Sequence, residues 1–313
     1  MNNKITGSIA LTTSNPEYDR AFWNLMRGRG TDANALEAGT AFNGSYKLPE
    51  YDAGKFLEAL EQESLFRSIG TTIYTKESGV LYASDFKDKA IWVPEGAEIP
   101  VSELMKDLER YGIESHKLAT IVCLDEDFVR STGYKLEKHL IDHMAKAFAR
   151  AEEEAFILGE GAYEPTGILD DNGAETGVTT QALTYDSIIQ LFFSVKSEYR
   201  KHGKWLMNDE TALVLRTLKD ADGNYLWNHA NDTILGKEVL ISEFMPSVEV
   251  YGSKPVAFGD FSHYEIIDRS RFSIRALNEM FIANQQIGYL GYAFLDGKLT
   301  NKEAVKVLSV SAQ

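Results

Sequence analysis

Apolar residues recur at helical spacing most regularly between residues 135 and 158. Leu136, Leu140, Met144 and Phe148 follow one another at intervals of four residues, which places them on one face of a helix. The pattern predicts a long amphipathic helix over 135–158 with these four side chains in the core. At ~1.5 Å per residue, this helix is about 36 Å long.

The segment after this helix, "GEGAYEPTGIL", resembles a glycine-rich phosphate loop in composition. Phosphate loops, however, precede a helix and bind the anion at its N-terminus, whereas these glycines follow a helix. The C-terminal end of a helix carries partial negative charge, so the setting is wrong for phosphate. We therefore predict a helix exit turn, in which Gly159 ends the helix and Pro165 and Gly167 lead into the next strand.

Residues 1–48 form two short helical patterns in a segment rich in Asn, Ser, Thr, Gly and Ala. Phe22, Trp23 and Met26 form an apolar stripe on the first of these helices. Such a short segment cannot bury the stripe against itself, so it packs either on the body of the protein or on a neighbour.

Residues 70–110 alternate between apolar and polar positions in "TTIYT", "GVLYAS" and "KAIWVP", which predicts an extended β-hairpin. A hairpin of this length is unusual in a compact domain. An extended hairpin with several aromatic residues is more typical of a contact arm than of a free loop. Its candidate contact residues are Tyr82, Phe86, Lys87, Lys89 and Trp92.

The remaining chain alternates between helical and strand patterns, so the 313 residues form a mixed α+β protein with two domains or one large one. The net charge is −15, and residues 1–48 contribute +1 of it, which leaves −16 for the rest. This charge disfavours tight binding of nucleic acid. No apolar run is long enough to span a membrane, and Cys123 is the only cysteine.

Candidate catalytic groups are few. His139 and His143 have a helical spacing that can hold a metal, but Leu140 occupies the position at which a zinc protease needs a glutamate. The carboxylates at 152–154 are typical of a solvated helix face or of ion-pair partners rather than of an acid/base pair. The residues predict neither a cofactor nor a metal, and a metal-dependent enzyme remains a remote alternative.

Several stretches of the chain together resemble the major capsid proteins of tailed bacteriophages, which share the phage Hong Kong 97-type capsid fold. In chain order they are "YDRAFWNLMRG", "EEEAFILGEGAYEPTGIL", "WLMNDETALVLRTLKDADGNYLW", "VAFGDFSHYEIIDR" and "DGKLTNKEAVKVL". The resemblance implies an α+β capsid subunit with the following division: an N-terminal arm at 1–48, an entry helix of the peripheral domain at 49–69, an extended loop at 70–110, the peripheral domain at 111–183 with its spine helix at 135–158, an axial domain at 184–275, return strands of the peripheral domain at 276–295 and a C-terminal axial strand at 296–313.

The resemblance also implies a function. The subunit is expected to assemble into pentamers and hexamers that form an icosahedral shell around double-stranded DNA, in the virion after assembly in the bacterial cytoplasm. The apolar stripe of the arm and the hairpin residues are then subunit contacts. Further expected partners are a scaffolding protein or protease, a portal protein and a decoration protein. An encapsulin-type compartment is the alternative.

Some members of this family join their subunits by isopeptide bonds between a loop lysine and an asparagine. Lys87 or Lys89 and Asn278 or Asn284 are available for this reaction. The family's buried glutamate lies on the strand after the asparagine, and residues 287–294 contain no acidic residue. We therefore expect a shell held by non-covalent contacts.

Overall fold

The computed structural model describes residues 12–30, 33–41, 44–75, 79–84, 92–94, 108–131, 135–219, 223, 225, 227, 233–250 and 252–311. The helices are α1 (Pro16–Met26), α2 (Ala33–Leu36), α3 (Glu50–Glu63), α4 (Leu65–Ile69), α5 (Glu126–Arg130), α6 (Leu136–Leu158), α7 (Tyr185–Ser194), α8 (Ser197–Arg200) and α9 (Asp209–Thr217). The strands are β1 (Tyr46–Lys47), β2 (Thr71–Tyr74), β3 (Val80–Ser84), β4 (Leu108–Gly112), β5 (His116–Asp125), β6 (Glu175–Thr180), β7 (Lys204–Met207), β8 (Thr233–Ile234), β9 (Lys237–Ile241), β10 (Val256–Gly259), β11 (Tyr264–Asp268), β12 (Ser273–Leu277), β13 (Gln286–Leu299) and β14 (Val305–Val310).

The chain divides into two units, each assembled from three separate segments. The first unit takes the described residues of Met1–Ile69, Ser115–Ala155 and Asp268–Leu295. The second unit takes those of Gly70–Glu114, Phe156–Ile267 and Asp296–Gln313. Residues 268–275, expected in the axial domain, belong to the first unit, and residues 156–183, expected in the peripheral domain, belong to the second unit. The reason is strand pairing, since β6 lies parallel to β14.

The first unit packs helices against antiparallel strands. Strand β13 pairs with β12 on one side and with β5 on the other. Three aromatic rings fill the centre of the unit: Phe56 stacks on Phe272 with ring centroids 4.0 Å apart, and Phe148 meets Phe272 edge-on at 5.2 Å. This aromatic cluster joins α3 and α6 in one core.

Helix α6 supplies the long apolar face that the sequence pattern predicts. Leu136, Leu140, Met144 and Phe148 are each at most 1% exposed and belong to the core of the first unit. The helix begins at Leu136 and ends at Leu158, within one residue of the predicted bounds.

The stripe on α1 packs inside its own subunit. Phe22 and Met26 are fully buried and Trp23 is 7% exposed, all three in the core of the first unit. The Trp23 indole N–H donates to Asp52 Oδ2 on α3 at 2.8 Å. The predicted role of these three residues at a subunit interface is therefore wrong, because no surface of Phe22 or Met26 is left for a neighbour.

The second unit is built on a six-stranded sheet with the order β6-β14-β10-β7-β9-β8. Its core packs α7 and α9 with the sheet, and Trp205 and Phe258 lie at its centre with ring centroids 4.2 Å apart. Each helix begins at a side-chain cap: Thr184 accepts from Ser187 N–H, and Asn208 accepts from Thr211 N–H at 2.8 Å.

Candidate assembly surfaces

The turn that leaves α6 is closed by backbone hydrogen bonds. The Gly167 N–H donates to Gly159 O at 2.8 Å, and the Ile168 N–H donates to Phe156 O at 2.9 Å. A third bond joins Leu169 N–H to Ile157 O at 3.0 Å. The returning chain thus satisfies the last carbonyls of the helix, which otherwise lack a partner.

Three glycines contribute to this turn in different ways. Gly159 directly follows the last residue of the helix, but the left-handed residue is Gly161, with φ of +77°. Gly167 is needed for space, because a Cβ there would lie 2.5 Å from Ile157 O. Pro165 precedes Thr166, whose carbonyl accepts from the Tyr264 hydroxyl at 2.9 Å. The closed turn presents Tyr163, which is 95% exposed.

A two-stranded hairpin formed by β3 and β4 is the second surface. The strands are antiparallel, with Ser84 opposite Leu108, and they pair with no third strand among those described. The stretch "TTIYT" was predicted to belong to this hairpin, but it forms β2, which lies next to β11 in another sheet.

The base of the hairpin is hydrogen-bonded to another segment of the second unit. The Tyr111 hydroxyl donates to Thr300 O at 2.8 Å. The Glu114 N–H donates to Asp296 Oδ2 at 2.7 Å. These bonds hold β4 at its C-terminal end, so the hairpin leaves the unit from a fixed position.

The hairpin residues predicted to form contacts are described only in part. Trp92 is fully exposed, and the Tyr82 backbone pairs with that of Arg110. Phe86, Lys87 and Lys89 lie outside the described residues.

A buried ionic cluster lies inside the first unit. Arg67 donates to Glu152 through Nε at 2.7 Å and Nη2 at 2.8 Å, and both of its terminal nitrogens donate to Asp268 at 2.9 Å. Of the two expectations for Glu152, a solvated face or an ion pair, the structure shows the ion pair, and the residue is 2% exposed. The signal that could have placed it is its spacing, since it follows Phe148 by four residues on the buried face.

Burial and ion pairing shift the pKa values of this cluster in opposite directions. Burial disfavours the charged guanidinium, but Glu152 and Asp268 outweigh it and raise the pKa of Arg67. Burial raises the pKa of the Glu152 carboxyl, and Arg67 opposes this shift by stabilising the ionised form. Asp268 adds repulsion that favours protonation of Glu152. Arg67 therefore keeps its positive charge. The ionised form of Glu152 is disfavoured by burial and stabilised by Arg67.

Candidate chemistry is sparse in the described part of the chain. There, no three or more His, Cys, Asp or Glu side chains are grouped so that they could hold a metal ion. His139 and His143 are both exposed on α6. None of the described helices has the length and apolar character needed to cross a membrane.

Exposed apolar side chains are the feature that sequence reasoning missed. In the first unit, Met280 and Ile282 are 69% and 72% exposed. In the second unit, Phe193 on α7 and Leu213 on α9 are 64% and 63% exposed. Patches of exposed apolar residues mark protein–protein contacts, so these side chains are candidate centres of such contacts. A hairpin with a fixed base and the exposed Tyr163 on a closed turn are features typical of a protein that contacts other protein surfaces.

The chain belongs to the Phage capsid family, whose sequence model matches residues 44–310. It is 25% identical over 253 residues, 74% of each chain, to the "Probable major capsid protein gp17" of Mycobacterium phage L5. These matches favour a structural major capsid protein over an encapsulin-type shell.

Solved capsid structures share the fold. The capsid of an empty GTA particle, computed with C5 symmetry, is 27% identical and superposes with a TM-score of 0.68 over 80% of this chain and 90% of that one. A structure from Gordonia phage Cozz is 14% identical and superposes with a TM-score of 0.58 over 80% of this chain and 87% of that one. The mixed α+β architecture is therefore that of phage capsid subunits.

Proposed function

We propose that this chain is the major structural subunit of a tailed-phage capsid. Its copies assemble into pentamers and hexamers, and these form an icosahedral shell that encloses double-stranded DNA. The family match supports this role, and the chain's net charge of −15 agrees with enclosure of DNA without tight binding. The chain assembles into the shell in the bacterial cytoplasm and functions in the virion.

The hairpin is the observation that carries the proposal. Its strands pair with no third described strand, its base is held by Tyr111, and Trp92 is fully exposed. Tryptophan is among the residues that contribute most to protein interfaces. We assign the partner of the hairpin as the adjacent subunit of the shell. A scaffolding protein or protease, a portal protein and a decoration protein are further proposed partners.

A shortened hairpin tests the role. Because Ser84 lies opposite Leu108, an Asn-Gly turn that replaces residues 85–107 closes the two strands without loss of register. The variant should remain soluble and folded by circular dichroism but form no shells in electron micrographs. Trp92→Ala, which keeps the hairpin's length, should reduce the yield of shells without affecting folding. Normal shells from the shortened variant would contradict the proposed contact.

A further inference from the structure

Phe193 at the end of α7 lies beside the Arg200 guanidinium and close in sequence to several basic residues. We name Phe193, Arg200 and Lys201 the basic corner. The Arg200 guanidinium carbon lies 4.8 Å from the centroid of the Phe193 ring, and its Nε is buried with no hydrogen-bond partner. Arginine and aromatic side chains are among the residues that contribute most to protein interfaces, so this pair is suited to a contact with a partner.

The charge of this corner is opposite to that of the chain. Residues 195–204 hold four Lys or Arg residues and one acid, Glu198, in a chain of net charge −15. Lys196 is paired with Glu303, and Lys204 with Glu238. Among the described residues, the charged groups of Arg200 and Lys201 form no ion pair. The Arg200 guanidinium beside the exposed Phe193 ring and the exposed Lys201 that follows it in the sequence are therefore left for a partner.

A second patch of the same unit has the complementary character. We name Asp209, Glu210 and Leu213 on α9 the acidic face. Leu213 is 63% exposed, whereas Thr211 and Leu215 on the opposite side of the helix are buried. Neither Asp209 nor Glu210 forms an ion pair within the described part of the chain.

Helix stability alone does not account for the acidic face. Acids in the first turn stabilise a helix through its dipole, and this explains Asp209 and Glu210. It does not explain an exposed leucine one turn later. An exposed leucine on the same helix as two unpaired carboxylates is complementary to the basic corner, in which an exposed ring lies beside Arg200 and Lys201 follows in the sequence.

We propose that the basic corner of one copy docks on the acidic face of the next copy. The two patches differ, so the contact is heterologous and repeats head to tail around a ring, as closed cyclic symmetry requires. Complementary charge fixes the register of such a contact, and the two apolar residues supply its buried centre. The inference rests on the proposed shell, because it names the surfaces that join copies within each pentamer and hexamer.

Charge reversal and rescue test the contact. The variants R200E/K201E and D209K/E210K each place like charges opposite one another, so each should lower the yield of shells by at least about tenfold. Circular dichroism and thermal unfolding should show that both variants are folded. The variant with all four reversals restores opposite charges and should recover shells to within about threefold of the parent.

A matched control is Glu17→Lys, which reverses an exposed first-turn acid of α1 in the other unit and should leave the yield of shells unchanged. Normal shells from either double variant, or no recovery in the fourfold variant, would overturn the proposal. So would R200E/K201E shells that assemble normally but package less DNA, since the corner would then bind phosphate. If the parent chain forms no shell at all, the proposed function itself fails.

Discussion

Arg67 and Glu152 lie side by side in the interior of the first unit, joined by two hydrogen bonds of 2.7 and 2.8 Å. Their side chains are 2% and 1% exposed. Asp268 is the second carboxylate on the same guanidinium. The cluster links α4, α6 and the end of β11, three elements that are far apart in the sequence. It therefore fixes how the segments of the first unit come together.

Loss of the guanidinium should destabilise the protein strongly. Arg67→Met leaves two buried carboxylates without a counter-charge, and breaking a buried pair in this way costs about 3–5 kcal/mol. The matched control is Lys146→Met, since Lys146 pairs with Glu63 at 3.3 Å with both side chains largely exposed. Exposed pairs contribute about 0–1 kcal/mol. Denaturant unfolding should separate the two variants, and equal losses would contradict the importance of the buried cluster.

The Arg67→Met variant should regain stability in mild acid. Burial raises the pKa of Glu152, and the variant lacks the guanidinium that opposes this shift. A carboxyl whose pKa is raised by folding takes up a proton more readily in the folded state, so its contribution to stability is lost as the pH rises through that pKa. The deficit of the variant should therefore shrink as the pH is lowered from neutral toward the ordinary pKa of a glutamate, about 4.3. Adding Glu152→Gln should remove this recovery, and a deficit that grows in acid would show that the sign is wrong.

Truncation of Phe148 should remove a large part of the stability of the first unit. Its ring is 1% exposed and meets Phe56 and Phe272 edge-on. Phe148→Ala should cost about 3–5 kcal/mol. Phe128→Ala removes the same atoms from a ring that is 57% exposed and should cost far less. A loss below about 1 kcal/mol for Phe148→Ala would contradict its place in the core.

Alanine should have opposite effects on stability at Gly167 and at Gly54, because only Gly167 lies close to another stretch of backbone. A Cβ on Gly167 would lie 2.5 Å from Ile157 O, whereas a Cβ on Gly54 in α3 would meet nothing within 4 Å. Gly167→Ala should therefore lower the melting temperature. Gly54→Ala should raise the stability by about 0.5–1 kcal/mol, because alanine restricts the unfolded chain and favours helix. If both variants melted like the parent, the turn would be looser than its hydrogen bonds indicate.

Elements with a local signal were predictable from the sequence, and long-range partners were not. Helix α6 was predicted because its apolar residues recur at helical spacing over consecutive turns. The hairpin was predicted from the alternation of apolar and polar residues. The pairing of β3 with β4 was not, because a long insertion separates the two strands. Arg67 and Asp268 are 201 residues apart, and no spacing connects them. The stripe on α1 was recognised as apolar, and only the fold shows that it packs within its own subunit.

The shell should be held by non-covalent contacts alone. An isopeptide bond needs a base that takes a proton from a charged lysine, and a buried carboxyl of raised pKa is suited to this task. The acid of β13 is Asp296, whose oxygens accept from the N–H groups of Glu114 and Gly297 at 2.7 and 2.8 Å. The bond from Glu114 fixes the hairpin base, so Asp296 has a structural role.

Glu265 is a second carboxyl that could serve as the base. Burial raises the pKa of its carboxyl, and Oε2 is buried without a hydrogen-bond partner. It lies on β11 rather than on the strand that follows Asn278 and Asn284, so we expect no reaction. Mature shells boiled in SDS with reductant should give one band near the 35.0 kDa monomer. A ladder of oligomers that disappears in Glu265→Gln shells would show instead that Glu265 serves as the base and that the subunits are covalently joined.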